Sequence, residues 1–218
     1  MSRGDETRER ILNITEASVL RKGFGATSIE EVIAEAGITK SGFFYHFENK
    51  NALAKALLQR YMTQEDAFFD EVFARGRELA DDPLHGFLVG LKLMAEKLAD
   101  LSTEHPGCLV ATYCYQESLF DQDVRELNRH IVLQWRSRFR ALLEDIVELH
   151  DPREPVSLDA LADMVSTVLE GALVVGRATR DSAVLPQQIM LLRSYIKLLF
   201  ENRNMVVETA SDLRASDV

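Results

Sequence analysis

Apolar residues in this chain recur at steps of three and four, and that spacing decides which folds are open to it. The clearest run follows Asp123 and consists of Leu127, Ile131, Trp135, Phe139, Leu142 and Ile146. Such steps place side chains on one face of an α-helix, whereas a strand needs alternation of apolar and polar residues, which no segment sustains. The sequence therefore predicts an all-α fold of about nine helices.

Capping residues and glycines predict where the helices begin and how the chain is divided. The second helix is expected to start at Thr27 or Ser28, because each forms a capping box with the glutamate three residues later. Thr39 is a suitable cap for a short third helix, and Asn49 for a long linking helix over about residues 50–79. Another helix is expected from Pro106-Gly107 through Leu119. We expect an N-terminal domain over residues 1–60, a larger helical domain over 61–203 and a flexible tail over 204–218.

Residues 27–53 have the pattern of a helix-turn-helix. Two short helices joined by a glycine-containing turn place the second helix where it can enter the major groove of DNA. Thr39, Phe43 and Phe47 recur at i+4 and are expected to pack inward. The other face of this helix carries Lys40, Ser41, Phe44 and Tyr45.

Small and basic residues in this segment suit contacts with DNA. The residues suited to phosphates or base edges are Lys40, Ser41, Gly42, Tyr45, His46 and Lys50. The backbone amides behind Thr27 and Ser28 offer a further phosphate site, because the N-terminus of a helix attracts anions.

The net charge of the whole chain is −10, which taken alone argues against binding to nucleic acid. The charge is unevenly distributed. Residues 1–60 carry +1 and the other 158 residues carry −11, and the stretch from Ala36 to Arg60 carries +3. The local charge therefore suits a DNA-binding domain, and the acidic remainder is expected to reduce nonspecific binding.

A specific set of residues extends over about the first 60 positions. It comprises Thr7-Arg8, Ile11-Leu12, Ala17, Gly23-Phe24, Thr27-Ser28-Ile29, Ile33-Ala34, Ala36-Gly37-Ile38, Lys40, Tyr45-His46-Phe47 and Asn49-Lys50. With these residues the chain resembles bacterial transcriptional regulators of the TetR (tetracycline repressor) family. The resemblance implies a three-helix DNA-binding domain, a divergent helical ligand-binding and dimerisation domain, and a homodimer. It also implies a repressor that a small molecule releases from a palindromic double-stranded DNA operator.

Carried over by position, the resemblance implies a set of DNA-contacting residues. These are Thr27, Ser28, Thr39, Lys40, Ser41, Gly42, Phe44, Tyr45, His46 and Lys50. Phe44 stands where the family usually has a tyrosine, so a phenolic hydrogen bond is lost there. We expect Tyr45 to supply it.

The resemblance assigns the last two helices to a four-helix bundle between subunits. The expected interface residues are Val165, Leu169, Ala172, Leu173, Leu192, Tyr195, Ile196 and Leu199. Gly171 and Gly176 would allow close approach of the helices. The alternative is that these apolar residues are buried inside one subunit.

The middle helices are where the family keeps its effector pocket. Candidate residues there are Met94, Cys108, Tyr113, Tyr115, Trp135, Phe139 and Met164, with Trp135 and Phe139 the favoured pair. Such residues suit an unknown small hydrophobic or aromatic effector. Each of them could equally be ordinary core.

Cys108 offers a different hypothesis, a thiol-based sensor of oxidants or electrophiles. It lies near a helix start in His-Pro-Gly-Cys, where the helix dipole and His105 could lower the pKa of the thiol. Cys114 lies six residues further on and nearly on the opposite face of a continuous helix, so a disulfide would require unwinding. The alternative is that both cysteines are small buried apolar residues.

Enzymatic functions find little support in the sequence. There is no Glu-x-x-His motif for a di-iron site, no P-loop and no Gly-x-Ser-x-Gly motif, and His105 with Cys108 falls short of four zinc ligands. We expect no catalytic residue, metal or cofactor. No run is long enough to span a membrane, and the charged N-terminus is unlike a signal peptide, so a cytoplasmic location is expected. A helical ligand-binding protein that does not bind DNA stays open as an alternative.

Overall fold

A computed structural model describes residues 2–99 and 107–201, and within them it contains nine α-helices, one 3-10 helix and no strand. The α-helices are α1 (Arg3–Lys22), α2 (Ile29–Ala36), α3 (Lys40–His46), α4 (Lys50–Glu78), α5 (Pro83–Ala99), α6 (Leu109–Tyr115), α7 (Gln122–Val147), α8 (Leu158–Thr179) and α9 (Val184–Phe200). The prediction of an all-α fold is confirmed. No helix in this part of the chain is long and apolar enough to cross a membrane.

Local hydrogen bonds explain why the N-terminal helices begin and end where they do. Ser28 is the N-cap of α2, and it forms the predicted capping box with Glu31. Gly37 ends α2 in the left-handed conformation, at a φ of 63°, which glycine adopts without steric penalty. Thr39 and Asn49 cap α3 and α4 as predicted.

The helix predicted from Pro106-Gly107 through Leu119 is wrong as a single element. The N-cap of α6 is Cys108, whose Sγ accepts a hydrogen bond from the amide of Ala111 at 3.4 Å. The helix ends at Tyr115, and a 3-10 helix follows at Glu117–Leu119. Gln116 interrupts the helix, and its Oε1 accepts a hydrogen bond from the amide of Gly25 at 3.1 Å. The expected tail at 204–218 lies outside the described residues.

The buried side chains form two apolar cores. The N-terminal core is made by α1 to α3, the first part of α4, α6 and the first half of α7. The C-terminal core is made by the rest of α4, α5, the second half of α7, α8 and α9. The helix α4 contributes to both, and the Trp135 side chain packs against both. The structure therefore connects the two cores through shared helices.

Polar bonds and aromatic rings join the N-terminal helices to the rest of the molecule. The ring of Tyr113 stacks on that of Phe120, with centroids 4.3 Å apart, and both contact the ring of Phe24. Arg177 on α8 donates a hydrogen bond to the carbonyl oxygen of Leu20 at 3.1 Å. These contacts hold the corner between α1 and α2, which is the connection over residues 23–28, against the larger domain.

Candidate nucleic-acid interface and effector region

The short helix α3 separates its aromatic residues between the core and the surface. Phe43 and Phe47 are buried, as predicted, whereas Phe44 is 41% exposed and Tyr45 is 83% exposed. Lys40 is exposed as well, with its Nζ 6.0 Å from the centre of the Phe44 ring. This outer face combines a cation with two accessible aromatic rings, which is a surface suited to phosphates and base edges.

Thr39 fixes the start of α3 rather than packing inward. Its Oγ1 accepts a hydrogen bond from the amide of Gly42 at 3.1 Å and lies 3.1 Å from the hydroxyl of Ser41. The residue is exposed. The prediction that Thr39 packs inward is therefore wrong, because its hydroxyl is needed at the helix end. Its exposure leaves a DNA contact open.

Ser28 and Thr27 lie next to each other, but they have different surroundings. Ser28 is half-buried, and its side chain accepts a hydrogen bond from the amide of Glu31 at 3.2 Å. Thr27 is 1% exposed, and its hydroxyl donates to the carbonyl oxygen of Gly23 at 3.0 Å. The amide of Thr27 is also occupied, because it donates to Phe24. The prediction that Thr27 contacts DNA is wrong for these reasons.

Lys50 has a structural role that the sequence pattern did not indicate. Its Nζ donates a hydrogen bond to the carbonyl oxygen of Phe24 at 2.7 Å and lies 4.4 Å from the centre of that ring. Burial lowers the pKa of the Lys50 ammonium group. An ammonium group has three donors, so one bond to Phe24 leaves two for a phosphate. Lys50 thus holds the start of α4 against the corner between α1 and α2.

Arg60 connects α4 to α1 and was missed from the sequence. Its guanidinium group donates to Glu9 at 3.1 Å, to Asn13 at 2.7 Å and to Glu16. These three acceptors are spaced four and three residues apart and so share one face of α1. That spacing was the available signal. The bonds fix the orientation of α1 relative to α4.

The predicted effector residues do not all belong to one site. Met94 and Phe139 are fully buried in the C-terminal core, where Trp135 and Met164 are partly buried. Tyr113 belongs to the N-terminal core, and its hydroxyl donates to the carbonyl oxygen of Ala54. Tyr113 therefore lies in a different core from Met94 and Phe139, and an effector contact at Tyr113 stays a prediction. Tyr115 is 81% exposed and lines no interior site.

Cys108 is not an activated thiol in this structure. Burial first, and then the charge of Glu170, raise the pKa of Cys108 to about 12. The expectation of a lowered pKa is therefore wrong, and His105, which was part of that argument, lies outside the described residues. Both cysteines are free. Cys114 is exposed, contrary to the alternative that both cysteines are buried, and its Sγ accepts a hydrogen bond from Asn128 at 3.2 Å.

Several of the predicted interface residues on α8 and α9 point into their own subunit. Val165, Ala172, Leu192, Ile196 and Leu199 are buried in the C-terminal core, so the prediction that they meet a partner is wrong for them. Leu169 and Leu173 are partly buried, and Tyr195 is 42% exposed. The exposed apolar residues that the sequence reasoning missed are Val174, Val175, Leu191 and Leu198.

The two glycines of α8 also have different roles. A Cβ on Gly176 would lie 3.0 Å from the carbonyl oxygen of Asp181, so this glycine permits the turn into α9 within the subunit. Gly171 is exposed, and a Cβ there would meet nothing within 4 Å. Only Gly171 is therefore placed for close approach by another molecule.

A surface cleft of about 350 Å³ opens between α4, α5 and α7. Its lining includes Phe73, Arg77, Pro83, Phe87, Leu142 and Asp145. None of the predicted effector residues is in that lining. Within residues 2–99 and 107–201, no group of three or more potential ligands from His, Cys, Asp and Glu could hold a metal ion.

Comparison with known proteins agrees with the geometry of the N-terminal domain. Residues 11–57 match the model of the family described as bacterial regulatory proteins, tetR family. A stretch of 58 residues is 38% identical to the uncharacterized HTH-type transcriptional regulator YerO of Bacillus subtilis, covering 27% of this chain and 20% of that protein. Over 168 residues the chain is 22% identical to the HTH-type transcriptional repressor DhaR of Mycobacterium sp. (strain GP1), covering 77% and 81% of the two chains.

A solved structure extends the likeness to the fold of both domains. The structure of a TetR-family transcriptional regulator from Agrobacterium tumefaciens has a TM-score of 0.75 and 19% identity, and the match covers 91% of this chain and all of that one. The helix-turn-helix, its exposed helix α3 and the all-α companion domain define a DNA-binding transcriptional regulator. Residues 11–57 therefore form a DNA-binding domain of the TetR family of bacterial regulatory proteins.

Proposed function

We propose that this protein is a repressor that binds a palindromic DNA operator as a homodimer and is released by a small hydrophobic or aromatic effector. The observation that carries the proposal is the outer face of α3, where Tyr45 and Phe44 are exposed beside Lys40. Exposed apolar side chains that lie next to each other mark an interaction site more often than isolated ones do. Because its operator is in the cytoplasm, the protein would act there.

The DNA contacts in this proposal come from three places in the N-terminal domain. The outer face of α3 would enter the major groove with Lys40, Ser41, Phe44 and Tyr45, and the N-terminus of α2 would meet a phosphate through Ser28. Lys50 at the start of α4 is the third place, and Thr39, Gly42 and His46 of α3 and its N-cap complete the proposed contact set. Thr27 is left out because it is buried.

The dimer in this proposal uses a different face of α8 and α9 from the one the sequence indicated. Leu191, Tyr195 and Leu198 follow at steps of four and three along α9, and all three are exposed. Gly171, Val174 and Val175 are exposed on α8, which packs beside α9. Two copies that bury this face would place two α3 helices on one side, and a palindromic operator needs them about 34 Å apart.

The effector would act through the contacts that join the two domains. Repression and release require that effector and operator favour different arrangements of the dimer, so each weakens binding of the other by the same factor. The helix α4 contributes to both cores, and α6 packs on α1 and α4. A change in the C-terminal core therefore has a direct mechanical route to α3.

The proposal is tested by binding to the DNA upstream of the gene that encodes this protein. We expect wild-type protein to retard that fragment in a gel-shift assay and to leave a scrambled fragment of equal length free. Tyr45→Ala and Lys40→Ala should each weaken binding at least tenfold. Lys92→Ala is the matched control, since Lys92 is an exposed lysine on α5, away from the proposed interface.

Failure would be equally clear. If the wild-type protein binds both fragments alike, or if Tyr45→Ala and Lys40→Ala bind as tightly as Lys92→Ala, the proposed interface is wrong.

A further inference from the structure

The side chain of Asn128 on α7 contacts two atoms of α6. Its Nδ2 atom donates one hydrogen bond to the carbonyl oxygen of Val110 and another to the Sγ of Cys114, and both distances are 3.2 Å. A backbone carbonyl oxygen only accepts hydrogen bonds, so the contact with Val110 determines which end of the amide faces α6. Both hydrogens of the amide nitrogen are used in this way.

The oxygen of the same amide has no partner. Asn128 is 7% exposed, and in the part of the chain that the structure describes nothing donates a hydrogen bond to its buried Oδ1 atom. The other buried side-chain atoms of this kind there are the Nε atoms of Arg60 and Arg138, whose guanidinium groups bind carboxylates through their remaining nitrogens. An unsatisfied acceptor inside a protein is destabilising, and native proteins contain few of them.

Cys114, which this amide contacts, is the more accessible of the two cysteines in the chain. It is exposed and free, whereas Cys108 is partly buried, and burial raises the pKa of Cys108 to about 12. Oxidation of a cysteine requires access to the sulfur and a thiolate. Cys114 is therefore the cysteine that an oxidant can reach.

The two cysteines cannot form a disulfide with each other in this fold. Cys108 is the N-cap of α6 and Cys114 lies in the last turn of that helix. Six residues of helix correspond to about 9 Å of rise, whereas the Cα atoms of a disulfide lie within about 7 Å of each other. An oxidised Cys114 therefore has no resolving thiol in its own subunit.

We propose that Cys114 is a site of reversible oxidation, at which a hydroperoxide converts the thiol to a sulfenic acid that Asn128 stabilises. The sulfur attacks the terminal peroxide oxygen, so an S–O bond forms and the O–O bond breaks. The sulfur loses two electrons, and the peroxide gains them and leaves as water or an alcohol that carries the thiol proton. This modification goes beyond the proposed function, because it needs neither the operator nor the effector.

The amide of Asn128 matches a sulfenic acid at both of its ends. Its Nδ2 already donates to Sγ, and Oδ1, in the same plane, can accept from the new S–O–H group. A sulfinic acid is ionised at neutral pH, so it has only acceptor oxygens and would be repelled by Oδ1. Since oxidation beyond the sulfenic acid is irreversible, this preference keeps the modification reversible.

Dimedone, which reacts with sulfenic acids, tests the proposal on the full-length protein. The reduced protein receives one equivalent of hydrogen peroxide, catalase removes the excess, and dimedone is added at increasing times. Mass spectrometry of the digested protein should show the dimedone adduct at Cys114 and an unmodified Cys108. Dithiothreitol added instead of dimedone should restore the thiol of Cys114.

Two variants separate the effect of the amide from the effect of exposure. Asn128→Leu has a similar shape without the polar atoms, and it should shorten the lifetime of the Cys114 sulfenic acid at least tenfold, with sulfinic acid as the product. The matched control is Ser137→Cys combined with Cys114→Ser, because Ser137 is an exposed residue on the same helix α7. Its sulfenic acid should be as short-lived as that of Asn128→Leu.

Thermal denaturation followed by circular dichroism establishes that Asn128→Leu is folded. If it is not, the lifetimes in wild type and in the Ser137→Cys control give the same comparison. The proposal is overturned if Cys114 forms no dimedone adduct, if Cys108 is oxidised before it, or if a disulfide between two subunits is the main product. It is also overturned if the Cys114 sulfenic acid of wild type lasts no longer than that of the control thiol.

Discussion

The hydroxyl of Tyr113 donates a hydrogen bond to the carbonyl oxygen of Ala54 at 3.2 Å, which joins α6 to α4 inside the N-terminal core. Burial raises the pKa of this hydroxyl, so it stays protonated as a donor at any physiological pH. The Tyr113 ring stacks on Phe120 in the same place. One side chain therefore combines a polar and an apolar contact between the domains.

Replacing Tyr113 separates those two contacts. Tyr113→Phe removes only the hydrogen bond and should lower the free energy of unfolding by about 1 kcal/mol. Tyr113→Ala also removes the stacked ring and should lower it by about 3–5 kcal/mol. Urea denaturation followed by circular dichroism measures both values. Equal losses for the two variants would mean that the ring packing contributes nothing.

Substitution of Lys50 and substitution of Lys40 should have different effects on stability, although both residues lie in the DNA-binding domain. Lys50→Met loses the bond to Phe24, so we expect a loss of about 1 kcal/mol in unfolding free energy, together with weaker operator binding. Lys40→Ala removes an exposed side chain and should leave stability unchanged. Its effect should be weaker binding and a fall of about one in the slope of log affinity against log salt.

Denaturation curves and binding titrations at four salt concentrations test this pair. If Lys50→Met is as stable as wild type, its bond to Phe24 does not stabilise the domain. If Lys40→Ala keeps the wild-type salt slope, Lys40 does not contact a phosphate.

The exposed apolar face of α8 and α9 predicts how the dimer can be dissociated. Leu191 and Leu198 are 60% and 64% exposed, so a charge at either position is tolerated by the fold of the single subunit. The double variant Leu191→Asp with Leu198→Asp should be a monomer of 24.7 kDa by light scattering, whereas wild type should have twice that mass. Because the operator is bound by the dimer, the monomeric variant should bind it more weakly.

The control for the dimer is another exposed leucine away from that face. Leu149, just after α7, is 69% exposed, and Leu149→Asp should remain a dimer. A wild-type monomer at micromolar concentration, or a double variant that stays dimeric, would contradict the proposed interface.

The sequence predicted α3 well because local information determines it. Gly37 ends α2 and Thr39 begins α3, so these two residues determine the turn between the helices. The i+4 spacing of Phe43 and Phe47 determines the inner face of α3. The orientation of α9 was harder to predict. Its apolar stripe includes both Leu191 and Leu192, and periodicity shows that the stripe is wide without showing which half meets the subunit's own core.

Long-range contacts account for two of the other corrections, and a local bond accounts for a third. The carbonyl oxygen that accepts from Lys50 lies 26 residues earlier in the chain, and no local pattern reveals that meeting. The Gly23 carbonyl that accepts from Thr27 is only four residues away, but it competes with DNA for the same hydroxyl. Cys108 was expected to be activated by a helix terminus, yet burial beside Glu170 has the larger effect on its pKa. For Lys50 and Cys108, a tertiary contact outweighs the local signal.

Glu65 should make the stability of the protein depend on pH. Its pKa is raised to about 7 in the folded protein, above the value near 4.3 of an unfolded glutamate. A raised pKa means that the folded state binds the proton more tightly, so this contribution to stability is present below about pH 4 and is lost as pH rises through 7. The charge of Asp66 acts on Glu65, and the charge of Glu65 in turn acts on the Tyr61 hydroxyl. None of these groups supplies a positive charge.

Glu65→Gln, which is neutral at every pH, should therefore gain stability over wild type as the pH rises. At pH 8 the variant should exceed wild type by an amount on the order of 2 kcal/mol more than it does at pH 4. Urea denaturation at both values measures the difference, and Glu71→Gln should show no such change, because Glu71 is exposed. A difference that is the same at pH 4 and pH 8 would mean that the fold does not raise the pKa of Glu65.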